Sequence, residues 1–428
     1  MSAMKSIGMN PDDLNQNRHS PHTPAEQPVL QATPIHDLSD FAVDSQADST
    51  VDNPHQNSGL SQVASWPFKK IFSGLEWCFG VVTMISLLTI CAAIPILQFI
   101  TLGYFLEISS RIVREKKVRA GFVGIRQAAR IGGWALGTLL VWGPAFNVAG
   151  IFNDAQILLT ESVQLQPFNV SLGVIVLLTI PYTLWAWIRG ARLRHFIWPA
   201  PVRFCRTILK RETYRQAVTA FWEFMSTLHL PELFRLGFFG FLGAAAWLLL
   251  PVLLCIGGTQ LPESLRGISS LIGLPLLAIT LIYLPVLQTR FAIERRFRVF
   301  WEIKEARAVF KRAPIALWIS MFAVWAFALP VYLAKIQLTP REVFLLPTVV
   351  FVVFAWPSRM LMGWAYGRAS KREANRNVIS IWLARLAIIP VVFLYAGVVF
   401  LSRYTSWHGD WSLFEQHALL IPIPLLGG

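Results

Sequence analysis

The sequence predicts an all-α integral membrane protein, and three observations carry that prediction. Hydrophobic residues make up 54% of the 428 positions and charged residues only 14%, against roughly 25% charged in ordinary soluble proteins. The apolar residues gather into eight runs, each with the ~20 residues that a bilayer-spanning helix needs. The cations alternate between those runs. Segments 107–130, 189–235, 289–314 and 368–385 hold 7, 9, 8 and 5 Lys plus Arg, while 153–168, 257–267, 335–342 and 403–428 hold 0, 1, 2 and 1. Lys and Arg accumulate on cytoplasmic loops, so the first set is expected inside and the second outside.

The net charge of +14 would suggest nucleic acid if the cations formed a patch on a soluble domain. Distributed between apolar runs, they point to anionic lipid headgroups on the cytoplasmic side, and no nucleic-acid partner is expected. Cys78, Cys91, Cys205 and Cys255 are scattered, without C-x-x-C or a His at ligand spacing, so neither a metal nor a cofactor is expected.

Residues 1–65 carry eight acids against two bases, with Phe41 as their single aromatic. So little apolar surface cannot offset the entropy of ordering, and a disordered tail is expected, a natural place for a protein partner. Four of the eight histidines (His19, His22, His36 and His55) lie there at irregular spacing. No charged segment followed by a short apolar core opens the chain, so the first apolar run is expected to serve as an uncleaved insertion signal. Trp66-Pro67-Phe68-Lys69-Lys70 has the aromatic and basic composition of an interfacial anchor.

The polytopic domain is expected over 66–402, with a short extracytoplasmic tail at 403–428. Its first run, Leu75 to Ile108, would rise about 50 Å as one straight helix, well beyond a hydrocarbon core of about 30 Å. Pro95 is the expected breaker, because it lacks an N–H and clashes with the preceding turn. Either a kinked helix emerges on the far side or a re-entrant hairpin returns to the side it left. The hairpin is preferred, because it leaves the tail in the cytoplasm.

Seven runs follow, at 131–152, 169–188, 237–257, 268–288, 315–334, 343–363 and 381–402. Prolines recur near the cytoplasmic ends of one set of spans (Pro95, Pro181, Pro285, Pro357) and in the others (Pro144, Pro251, Pro330, Pro390). With the echo of Pro95-Ile-Leu-Gln98 in Pro285-Val-Leu-Gln288, they suggest two halves, 75–257 and 268–402.

Within the basic connectors, Arg119, Arg126 and Arg130 share one face of a helical wheel beside Phe122, Ile125 and Ala129. That pattern predicts an amphipathic helix lying flat on the membrane, with glycines allowing close helix contact. Together with Arg111 and Arg114, these arginines form the candidate headgroup or anion contact. Glu107 and Arg111, four apart, are expected to pair on a helix. Ala217, Phe221, Phe224, Met225 and Leu228 form a second amphipathic face, with Pro231 as the expected stop. Glu294, Arg298 and Glu302 repeat every four residues and would extend a third helix from its span.

The middles of the expected spans lack Asp, Glu, His and Lys, which proton relays and nucleophilic chemistry require. Gln98, Asn147 and Gln288 are the intramembrane amides, expected to hydrogen-bond between helices. No H-E-x-x-H, G-x-S-x-G or P-loop sequence occurs, so no enzymatic activity is expected.

Leu102-Gly103-Tyr104-x-x-Glu107-x-x-x-Arg111, followed by Gly121-Phe122-x-Gly124-x-Arg126-x-Ala128-x-Arg130, resembles an uncharacterised family of bacterial multi-pass membrane proteins classed as a domain of unknown function. The resemblance implies the bacterial inner membrane and supplies no activity. Two functions fit the sequence: a scaffold or membrane-organising protein that contacts lipid and partners, and a permease for a neutral or amphipathic solute.

Overall fold

A computed structural model describes residues 59–158, 166–190, 193–198, 210–260, 262–333, 345–373 and 378–405, with two isolated positions beyond. Residues 1–58, most of the expected tail, lie outside the described residues, as does nearly all of 406–428. The last positions of that tail, 59–65, are helical backbone. Among the described residues every regular element is helical, and eight stretches are long and apolar enough to cross a membrane.

In chain order the helices are α1 (Gly59–Ala93), α2 (Gln98–Glu115), α3 (Ile125–Leu158), α4 (Gln166–Ile188), α5 (Leu193–Ile197) and α6 (Arg211–Thr227). They continue with α7 (Leu230–Gln260), α8 (Glu263–Glu294), α9 (Ile303–Arg312), α10 (Pro314–Leu333), α11 (Leu346–Ser370) and α12 (Val378–Thr405). Most of the expected spans run longer than their apolar windows, because the helices continue into the polar connectors.

The long first run breaks into α1 and α2, with Pro95 in the four-residue turn between Ala93 and Gln98. α2 folds back on α1, where the Thr101 hydroxyl donates to the Leu88 carbonyl at 3.1 Å. The other prolines singled out, at 144, 181, 251, 285, 330, 357 and 390, all lie inside continuous helices. Apolar surroundings tolerate an interior proline, because neighbouring groups take over the freed carbonyl.

α2 is the centre of the bundle, and every residue from Thr101 to Ile112 is buried. It crosses α7 at Gly103 and Gly237, where a Cβ on either glycine would overlap backbone of the other helix, at Leu233 and Phe99 respectively. Small residues allow such backbone approach, and in a lipid environment the resulting dispersion contacts drive helix association. Phe105, sealed completely, stacks edge-on against Phe351 of α11. By contrast α3 and α4 present Leu139, Leu140, Phe146, Leu177 and Leu178 outward, a distribution suited to acyl chains.

The flat helix expected across 119–130 does not form. Val118–Gly121 makes a 3-10 turn, Gly124 takes a φ of +68°, and α3 begins at Ile125 and continues unbroken into the span. Left-handed backbone is cheap only for glycine, so Gly124 reverses the chain. The apolar stripe meets protein: Phe122 packs against Trp77 and Trp356, and Ile125 and Ala129 are buried. The second amphipathic helix, α6, ends at Thr227, before Pro231, with His229 at positive φ between it and α7. The third does not extend α8, because the chain leaves the helix after Glu294, enters a 3-10 turn at Phe297–Trp301, and resumes as α9.

One local structure occurs twice. α2 ends at Lys116 with φ 61° and ψ 20°, and α8 ends at Arg295 with φ 55° and ψ 20°. Each is followed by an extended residue (Lys117, Arg296) and a 3-10 turn, and each turn exits at a matching angle, φ −92° at Phe122 and φ −85° at Glu302. In this register Thr101, Tyr104, Arg111, Glu115 and Arg119 correspond to Thr280, Tyr283, Arg290, Glu294 and Arg298. The same cap and turn conformation therefore recurs at these two places. The Pro95 and Pro285 echo falls in a different register, since Pro95 precedes α2 whereas Pro285 lies within α8.

Candidate functional site

The described parts of the four basic connectors meet at one end of the bundle. Arg130 of the first places its guanidinium 4.7 Å above the ring of Phe224 in α6. Arg295 of the third reaches Glu107 near the end of α2, and Gly367 of α11, leading into the fourth, lies against Val113.

Glu107 is the hub. Its side chain is only 3% exposed, and it accepts from Arg111 Nε at 3.2 Å, Arg114 Nη2 at 2.7 Å and Arg295 Nη2 at 2.5 Å. The Ser110 hydroxyl donates to it as well, at 3.2 Å. Burying a carboxylate is costly unless its oxygens are fully hydrogen-bonded, and these donors meet that requirement. Burial pulls the Arg295 guanidinium below its ordinary value, opposed by the Glu107 carboxylate and reinforced by Arg114. At the repeated turn the roles reverse: Arg290 bridges Glu294 and Glu302, each at 2.6 Å, and Arg296 also pairs with Glu294.

Deeper in the bundle a polar layer joins four helices. Arg359 of α11 donates to Gln288 Oε1 of α8 at 2.9 Å, Gln288 Nε2 reaches the Gly240 carbonyl of α7 at 3.5 Å, and the Ser109 hydroxyl of α2 donates to the Arg359 carbonyl at 3.0 Å. Arg359 and Gln288 are fully enclosed. The other amides lie elsewhere. Asn147 donates to Gly143 of its own helix, and Gln98 keeps a buried Oε1 that accepts no hydrogen bond among the described residues.

The candidate headgroup arginines divide into two kinds. Arg111 and Arg114 are held by Glu107, whereas Arg119, Arg126 and Arg130 are exposed. Exposed aromatics share this end: Tyr214, Phe221 and Trp222 on α6, Trp198 after α5, and Trp301 on the second 3-10 turn. Trp198, Tyr214, Trp222 and Trp301 were not singled out in the sequence, although each lies within a basic connector.

Between the end of α2 and the end of α11 is a pocket of about 300 Å³, lined in part by Lys116, Arg368, Lys371 and Arg372. Ile112, Val118 and Trp364 supply its apolar wall, and Arg368 stacks 5.8 Å above the Trp364 ring. Among the described residues no group of His, Cys, Asp and Glu could hold a metal ion. No protein-family model matches the chain, and neither a curated protein nor a solved structure matches it.

Proposed function

We propose that this is a bacterial inner-membrane protein whose cytoplasmic face engages anionic lipid, serving as a scaffold or membrane-organising protein rather than an enzyme. The observation that carries the reading is the convergence of the basic connectors with exposed aromatic rings at one end of the bundle. Aromatic rings settle at headgroup depth and cations contact phosphates there. On this reading α1 and α2 form a re-entrant hairpin with its tip at Pro95, so that the preceding tail stays in the cytoplasm, available to a partner.

The permease alternative draws less support. A solute path would gather its polar groups around one cavity, yet Gln288 is committed to Arg359 and Gly240 while Asn147 bonds within its own helix. Affinity purification from membranes, with and without residues 1–65, tests the scaffold reading. Partners that disappear with the tail are the expected result. A deletion strain with altered solute uptake, restored by the tail-less protein, would overturn it.

A further inference from the structure

We infer that the pocket between α2 and α11 is a specific binding site for a phosphate group, distinct from the diffuse attraction of the basic surface. The inference deepens the proposed function and rests on its assignment of this end of the bundle to the phosphate-bearing side.

At this end of the bundle Arg111, Arg114 and Arg295 share the Glu107 carboxylate, Arg290 pairs with Glu294 and Glu302, and Arg296 pairs with Glu294. The cations of the pocket lie outside that ion-paired cluster. Among the described residues Lys116, Arg368, Lys371 and Arg372 line the pocket without a carboxylate, and none of the four forms an ion pair there. Four like charges around one cavity repel one another, and an anion placed among them relieves that repulsion.

The shape also suits a phosphate. A volume of about 300 Å³ reaches the lower end of the range for small-molecule sites, about 300–1,000 Å³. Arg368 is oriented by its contact with Trp364, and an arginine fork matches phosphate oxygens in pairs. Ile112, Val118 and Trp364 form an apolar side that can receive the glycerol and first methylenes of a lipid or the organic part of a soluble phosphate ester.

The test uses full-length protein. In one arm it is held in phosphatidylcholine nanodiscs containing a minor fraction of phosphatidic acid, and the lipid retained after extraction is counted. In the other, lipid-free micelles are titrated calorimetrically with inorganic phosphate and glycerol 3-phosphate. The pocket variant Arg368→Gln/Lys371→Gln/Arg372→Gln is compared with a charge-matched control at the start of α6, Lys210→Gln/Arg211→Gln/Arg215→Gln. Retention of phosphatidic acid should fall about tenfold in the pocket variant and by a clearly smaller factor in the control, which removes charge only from the diffuse surface. Heat of phosphate binding in micelles, lost only in the pocket variant, would support the site with a soluble ester as its source.

Equal losses in pocket variant and control would overturn the pocket while leaving the diffuse surface attraction standing. No loss in either would overturn both readings. Val118→Glu keeps all four cations but puts a carboxylate on the wall. It should reproduce the loss, so the inference remains testable even where the triple variant does not fold.

Discussion

Glu107 shows how burial separates a decisive charge from an incidental one. Removing the carboxylate leaves Arg111, itself 10% exposed at its side chain, without its counter-charge, and breaking a buried pair in this way costs about 3–5 kcal/mol. Glu107→Gln is therefore expected to lower thermal stability in detergent severely. Arg114 contacts the same carboxylate from a side chain 43% exposed, so Arg114→Gln should cost under about 1 kcal/mol. Near-equal losses for the two would contradict the burial argument. The i, i+4 relation made the pairing of Glu107 with Arg111 legible in the sequence. Arg295 was not, since no local spacing connects residues brought together by the ends of two helices. A similar contrast separates Gly237→Ala from Gly173→Ala. The first drives a methyl group into the Phe99 carbonyl and should destabilise the bundle, while the second meets open space and should gain up to about 1 kcal/mol of helix propensity.

At the scale of elements, the repeated turn separates backbone shape from chemistry. Lys116 and Arg295 hold nearly the same left-handed conformation, which glycine adopts at lower cost. Lys116→Gly should leave stability unchanged or raise it by up to about 1 kcal/mol. Arg295→Gly relieves the same backbone but removes a donor from Glu107, so its unfolding midpoint should fall. A rise for both would show that the Glu107 network contributes little. The first apolar run was too long for any single span, and α1 ends at Ala93 with α2 beginning at Gln98. The segment 119–130 misled for a physical reason: an apolar stripe reports that a face will be covered, without saying by what. Lipid and protein satisfy it equally, and here Trp77 and Trp356 cover Phe122.

The whole molecule has a polarity that can be measured. With the basic connectors inside, cysteines placed at Gln164→Cys and Gln260→Cys in a cysteine-free background should react with an impermeant reagent on intact cells, and Ser370→Cys should react only after permeabilisation. Protection of the first two with labelling of the third would invert the proposed orientation. The core is also unequal. α2, although short, is surrounded by α7, α8 and α11, whereas α3 and α4 keep broad apolar faces exposed. Destabilising changes should therefore concentrate in the central helices, with conservative apolar exchanges at Leu139, Leu177 or Leu178 nearly silent.

The sequence by itself determined the helical membrane class, the number of apolar stretches and the alternation of charge. Each follows from hydrophobicity, length and backbone chemistry acting over neighbouring residues. The tertiary structure alone decided that Glu107 gathers Arg111, Arg114 and Arg295, that Gln288 meets Arg359, and that the ends of α2 and α11 bring Lys116, Arg368, Lys371 and Arg372 around one pocket. Those relations depend on which helices become neighbours. Apolar spans look alike to one another along the chain, and their pairing is set by close contacts such as Gly103 against Leu233, which exist only once the bundle has assembled.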